Sequence, residues 1–300
     1  MVTRSDAGPA AVEVDLGHGE RLQRVAAWRR FRGQALPLVG VGWLVLIGLA
    51  AVWGPAIADP TLSVNVFHGL ALPGWRWPEW LGTNNLGQSN VDLLLASVQP
   101  TVASAVLGAA LGMVVALWVG VLAGLARGIV AEAAARAIDF AFAMPNFVIV
   151  VLLEVVLGAS LPAQVLALGI VSWPGPARVI RGLALTLRDT ELLESARMAG
   201  GTRLYIAWRY VGANILPTLW VFLAFQFGIV MGLSMFVAMT LPGSANLTPN
   251  LQELIANGVY DNLLVRQWVL WAPLGVFTLT VLAVIWVADG IERAVNPFRR

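Results

Sequence analysis

The feature that most constrains this chain is a series of long apolar segments. A hydrocarbon core about 30 Å thick needs about 20 apolar residues to be crossed by one helix. Five segments meet that length, and they cover residues 35–58, 100–126, 138–160, 214–240 and 268–288. The sequence therefore predicts a protein whose helices cross a lipid bilayer several times.

The charge content agrees with a membrane protein. Of the 300 residues, 58% are hydrophobic and only 12% are charged, whereas a soluble domain carries about 25% charged residues. The alternation of polar and apolar residues that marks a transmembrane β-barrel is missing from the apolar segments. We therefore expect an all-α integral membrane protein.

A sixth segment, residues 161–178, is shorter and contains the cluster Pro174, Gly175 and Pro176. It must also cross if the loops are to alternate between the two sides, so we predict six transmembrane helices. Arg is enriched in cytoplasmic loops, and only Arg76 and Arg266 fall in the predicted outer loops. Both termini are therefore predicted to be cytoplasmic.

These assignments divide the chain into five parts. Residues 1–34 form a cytoplasmic tail with a basic amphipathic helix, and residues 35–58 form the first transmembrane helix. An extracytoplasmic loop is predicted for residues 59–99, a five-helix core for residues 100–290, and a cytoplasmic tail for residues 291–300.

A charged cytoplasmic segment, residues 189–213, interrupts the predicted core. Asp189 or Thr190 can cap a helix that Gly200 and Gly201 then end, and Thr202 can cap a second short helix. Helices this short are not stable alone, so we expect the protein itself or a partner to hold them. The alternative is a solvated connector between two transmembrane helices.

The basic residues and the cysteine count exclude several kinds of site. All nineteen basic residues are Arg, so the chain has no phosphate-binding loop of the type that needs a Lys. Any ATP that drives this protein must be hydrolysed by another chain. The chain has no Cys and only two His, so we predict no metal site and no catalytic residue.

Several motifs resemble one family of transporters. Residues Glu194 to Gly200 read E-S-A-x-x-x-G, and this run resembles the EAA loop of ABC importer permeases. LGTNNLG at 81–87, SWPGPARVIRG at 172–182 and DGIERAVNP at 289–297 resemble segments of the dipeptide, oligopeptide and nickel permeases. The motifs occur in the family's order over residues 30–298.

The resemblance implies a type I ABC importer permease fold with six transmembrane helices and a cytoplasmic coupling helix that docks on the ATPase. It implies that docking involves Glu194, Ser195, Ala196 and Gly200, and it places the other coupling candidates in the same segment. The complete set is Glu194, Ser195, Ala196, Arg197, Gly200, Gly201 and Arg203.

The same resemblance implies the partners and the location. They are a homologous second permease, two ATPase subunits or one fused ATPase, and an extracytoplasmic substrate-binding protein, in a bacterial cytoplasmic (inner) membrane. This chain would need no cofactor, because ATP and Mg would bind to the ATPase subunits. The substrate would be a short peptide, with nickel or a metal chelate as the second candidate.

Three polar residues lie within the predicted spans and are candidates for the substrate pathway. Glu154 could attract a cationic group of the substrate, or it could be a protonated or Arg-paired carboxyl between helices. Asn146 follows Pro145 and could mark a helix break that lines the pore, and Gln226 is a similar candidate. For Asn146 and Gln226 we favour an interhelical hydrogen bond.

Two other classes of function remain open at this point. A proton-coupled secondary carrier would use Glu154, but it gives residues 189–213 no role. A membrane scaffold would use that segment to recruit a soluble protein. Copurified partners distinguish these classes from an ABC permease.

Overall fold

The structure, a computed structural model, describes residues 31–58, 66–75, 77, 79–158, 160–188, 190–202, 205, 209, 213–241, 249–262 and 267–295. Within these ranges the chain is mainly α-helical, with two short 3₁₀ helices, Val66–His68 and Glu79–Leu81, and one isolated bridge between Thr83 and Ser89. The ten described α-helices are α1 Ala35–Ile57, α2 Asn90–Leu125, α3 Ile129–Ala143, α4 Asn146–Leu157, α5 Leu161–Ser172, α6 Pro174–Arg188, α7 Glu191–Met198, α8 Ala213–Thr240, α9 Leu251–Asn262 and α10 Trp268–Val295.

Four of the described helices are long and apolar enough to cross a membrane, and the bent pair α3–α4 raises the number to five. The four are α1, α2, α8 and α10, and each contains most of one predicted span. Helix α2 begins at Asn90, within the predicted extracytoplasmic loop, because Ser89 caps it by accepting a hydrogen bond from the Asp92 N–H. The predicted basic helix over residues 21–34 lies almost entirely outside the described residues.

The predicted span 138–160 is not one helix. Helix α3 ends at Ala143, α4 begins at Asn146, and the two are bent by 80°. Pro145 between them has no N–H to continue the helical hydrogen bonds. The helix therefore breaks before Asn146, which is one of the two possibilities that the sequence leaves open for this residue.

The predicted span 161–178 divides into two helices at Trp173. Helix α5 has twelve residues and α6 has fifteen. Trp173 keeps helical dihedral angles, with φ −70° and ψ −28°, so the chain continues in a helical course through the junction. Pro174 begins α6, where a missing N–H removes one helical hydrogen bond.

Helix α2 lies at the centre of the bundle, and four of its glycines form a seam with α5 and α6. An added Cβ at Gly120 would lie 2.8 Å from the Ala177 carbonyl oxygen, and at Gly124 it would meet the Cβ of Ala184. Small residues at such spacing let two helix backbones approach closely inside a membrane. The seam consists of Gly108, Gly112, Gly120 and Gly124.

Two clusters of buried side chains extend along α2. One joins Met113 and Ala116 to Ile180 and Ala184 of α6. The other joins Ala105 and Ala109 to residues of α4, α5 and α8. The first cluster lies towards α7, and the second lies towards the opposite end of the bundle.

The opposite end is held together by hydrogen bonds from polar side chains. Thr101 of α2 accepts a hydrogen bond from the Leu251 N–H (2.9 Å) and donates to Gln252 Oε1 (3.3 Å). Thr83 similarly fixes the turn before α2, because its hydroxyl donates to the His68 carbonyl and accepts from the Ala71 N–H. Helix α9 therefore packs against the spans although it is too short to be one.

The glycine seam generates a prediction. We expect Gly120→Ala to destabilise the protein by about 1–3 kcal/mol, because the added methyl group forces the α2 and α6 backbones apart. The measurement is the midpoint of detergent-induced unfolding, followed by tryptophan fluorescence. Gly42→Ala on α1 is the matched control, since an added Cβ there meets no heavy atom within 4 Å. Equal shifts for the two variants would contradict the seam.

Candidate functional site

The candidate site is the helix α7 with its two ends, at the point where α6 leads into the charged segment. The helix begins after Thr190, whose carbonyl accepts the Glu194 N–H at 3.1 Å. The Thr190 hydroxyl donates back to the Leu187 carbonyl at 2.8 Å. Thr190 therefore ties the end of α6 to the start of α7, while Asp189, the other predicted cap, lies outside the described residues.

A glycine stop ends α7, as the sequence predicts. Gly200 has φ +84°, which is a left-handed conformation that other residues rarely adopt. The Gly201 N–H then reaches back to the Ala196 carbonyl at 3.0 Å, the bond of a Schellman motif. Thr202 accepts a hydrogen bond from the Tyr205 N–H at 3.2 Å, which is consistent with the predicted cap of a second helix.

The two faces of α7 have different environments. Ala196 is 7% exposed and belongs to the cluster that contains Ile180 and Ala184 of α6. Glu194 and Ser195 are exposed, and Met198 is 86% exposed. Ala196 therefore anchors α7 to the bundle, and its role in docking on a partner stays a prediction.

The remaining coupling candidates are described only in part. The Arg197 backbone belongs to α7, but its side chain is not described, and Arg203 lies outside the described residues. Gly200 and Gly201 act through the backbone geometry that ends the helix. The structure therefore places Glu194 in the first turn of α7, Ser195 next to it, and Gly200 and Gly201 just after the last residue of the helix.

Helix α6 is also tied to α3 in the first part of α6. The Arg178 guanidinium lies 2.6 Å from an Asp139 carboxylate oxygen and 4.6 Å from the centre of the Phe142 ring. Both charged side chains are about half exposed, so the ion pair contributes little to stability. Its main effect is to fix the orientation of α3 relative to α6.

The three pathway candidates lie at two separate places. Asn146 begins α4. Glu154 lies about 12 Å from Asn146 along the helix axis, in the last turn of α4 rather than near the middle of a span. Within the described residues, the buried Glu154 Oε1 has no hydrogen-bond partner. Gln226 lies elsewhere, fully buried on α8, where its Nε2 donates to the Ser172 carbonyl at 3.0 Å.

Gln226 therefore makes the interhelical hydrogen bond that the sequence favours. Sequence reasoning identified neither its partner nor Gly112, which makes room for both groups. The spacing of the four α2 glycines is visible in the sequence and could have revealed the seam. The Ser172 carbonyl could not have been found, because every residue carries the same backbone group.

Comparison with known proteins identifies the family. The family described as binding-protein-dependent transport system inner membrane component matches residues 112–300. The chain belongs to this family. The match includes the glycine seam from Gly112 onwards, the whole of α7 and the helices on both sides of it.

The permease is also similar to named transport proteins over most of their length. It is 27% identical to the glutathione transport system permease protein GsiD of Escherichia coli O1:K1 / APEC, over 90% of this chain and 89% of that protein. It is 29% identical to GsiD of Shigella flexneri serotype 5b (strain 8401), over the same shares. The protein is thus an ABC importer permease of the inner membrane, a transport subunit rather than an enzyme.

The glycine stop generates a prediction about α7. We expect Gly200→Ala to weaken the end of α7 by about 1–2 kcal/mol, because a left-handed conformation costs an L-residue roughly that amount. Hydrogen exchange of the Gly201 amide, which donates to Ala196, should become faster in the purified protein. Gly201→Ala is the control, since the φ of Gly201 is not positive. Unchanged protection in Gly200→Ala would exclude the stop.

Proposed function

We propose that the permease imports short peptides, with glutathione as the first substrate to test. Its GsiD relatives, which align over most of both chains, carry the name of a glutathione transport system. Their alignment supports a peptide substrate over nickel or a metal chelate.

We further propose six transmembrane passes with both termini in the cytoplasm. The sixth pass would be α5 with α6, two helices joined through the helical residue Trp173. Their packing supports this, because Gly108 of α2 meets Leu168 and Gly120 meets Ala177, so that α2 and α5–α6 run in parallel. The distribution of Arg then places α7 on the cytoplasmic side.

The coupling role of α7 is the centre of the proposal. One observation carries it: α7 is closed by hydrogen bonds at both ends, anchored through Ala196, and exposed at Glu194, Ser195 and Met198. An anchored helix with an exposed face is preorganised to dock in a groove of a partner. The ATPase subunits of the importer would supply the groove and would bind ATP and Mg.

A complete importer requires other chains. The family's description names a dependence on a binding protein, which delivers the substrate from outside the membrane. We propose that a homologous second permease forms the other half of the pathway, in a heterodimer with this chain. Movement of the ATPases would then switch the pathway between outward and inward access.

Within this chain we propose Glu154 and Asn146 of α4 as pathway residues. The Glu154 carboxyl lies about one turn before Gly158, which ends the helix, and its Oε1 has no described partner. A carboxylate near the end of a span costs less than one at the bilayer centre. We propose that this carboxyl attracts the amino group of a peptide.

The exposed face of α7 generates a prediction about the ATPase. We expect Ser195→Trp to abolish copurification of the ATPase subunits with the tagged permease, because the indole would block the docking face. Yield and unfolding midpoint of the permease should not change, since Ser195 is exposed. Thr186→Trp on the exposed side of α6 is the control and should retain the ATPase. Full ATPase recovery with Ser195→Trp would refute this docking face.

The carboxyl of Glu154 generates a prediction about uptake. In proteoliposomes that contain the complete importer, Glu154→Gln should lower the uptake of radiolabelled glutathione several-fold. Assembly of the importer subunits should stay normal. Glu253→Gln is the control, because Glu253 is another half-buried carboxyl, on α9, whose pKa burial raises above its ordinary value. Normal uptake by assembled Glu154→Gln importer would remove Glu154 from the pathway.

A further inference from the structure

Pro174 and Pro176, at the junction between α5 and α6, each remove an N–H donor to a backbone carbonyl of α5, and one of these carbonyls is that of Ser172. The Ala177 N–H donates to the Trp173 carbonyl at 3.0 Å, which is the first helical hydrogen bond of α6. In the same pattern the Ser172 carbonyl would accept the N–H of residue 176. That residue is Pro176, which has no N–H.

Gln226 of α8 supplies the missing donor. Its Nε2 lies 3.0 Å from the Ser172 carbonyl oxygen, and the residue is 0% exposed. Gly112 of α2 makes this contact possible, because an added Cβ would lie 2.5 Å from Ser172 Oγ and 2.7 Å from Gln226 Nε2. One hydrogen bond therefore links α8 to the α5–α6 junction at the surface of α2.

The position of this bond relates it to the candidate coupling segment. Helix α6 leads into that segment and α8 leads out of it. At 1.5 Å per residue, the distance along the helices is about 24 Å from Ser172 to Arg188 and about 20 Å from Gln226 to Ala213. The segment thus joins α6 to α8 at one end. The hydrogen bond joins α8 to Ser172, two residues before α6, at a similar distance from the segment.

We propose that Gln226 is a positioning residue for coupling. Its hydrogen bond to the Ser172 carbonyl joins α8 to the junction between α5 and α6. Because of this bond, α6 and α8 move together when α7 moves. Within the described residues, Gln226 Oε1 has no partner, so the donor half of the amide makes the link. This inference rests on the proposed role of α7.

A purely structural role would predict a different result. If Gln226 only satisfies a buried carbonyl, any other donor to that carbonyl should replace it. If Gln226 transmits movement, the replacement donor must lie on α8. The chain permits this distinction, because Pro176→Ala restores an N–H within the α5–α6 path itself.

The experiment compares ATP hydrolysis by the complete importer in proteoliposomes. Four forms are used: wild type, Ser172→Ala, Gln226→Met, and Gln226→Met with Pro176→Ala. Met has a similar length to Gln and donates no hydrogen bond. Ser172→Ala is the matched control, because it removes the hydroxyl and keeps the carbonyl. Hydrolysis is measured with and without the cognate binding protein, purified with the ligand that it carries.

We expect the binding protein to stimulate hydrolysis equally in wild type and Ser172→Ala. The double variant should assemble with wild-type basal hydrolysis but lose most of the stimulation. Stimulation of the double variant to the wild-type level would overturn the inference. A double variant that does not assemble with the other subunits would also overturn it, because Gln226 would then have a structural role alone. A wild-type importer without copurified ATPase would instead overturn the proposed function.

Discussion

The close approach of α2 to α5 and α6 is the contact on which the rest of the structure depends. Apolar side chains gain little by leaving lipid, so helices in a membrane associate through backbone proximity and hydrogen bonds. The seam that includes Gly112 and Gly120 permits both. It places the junction at Trp173 against the centre of α2, and it aligns α6 so that α7 begins at the end of the bundle.

The two proline breaks have different consequences. Pro145 produces a bend of 80° and exposes the start of α4. At Pro174 and Pro176 the chain keeps a helical course, but it lacks two backbone N–H donors there. The second break is compensated by Gln226 from another helix. A break that depends on a distant side chain is a suitable place for helices to be linked during transport.

The candidate coupling helix is stable only through its surroundings. Eight residues are too few for an isolated helix. Thr190, Gly200 and the buried Ala196 supply the missing stability at the start, the end and the inner face. The same contacts leave the outer face exposed, which is why the buried Ala196 and the strongly exposed Met198 occur two positions apart.

The sequence by itself determined the all-α membrane class, most span positions, the glycine stop at Gly200 and the family. These features depend on hydropathy and on hydrogen bonds between residues close in the chain. Only the tertiary structure decided that Ala196 faces inward, that Glu154 lies in the last turn of a short helix, and that Gln226 binds the Ser172 carbonyl. Such pairings join residues up to 54 positions apart, and local propensity carries no information about them.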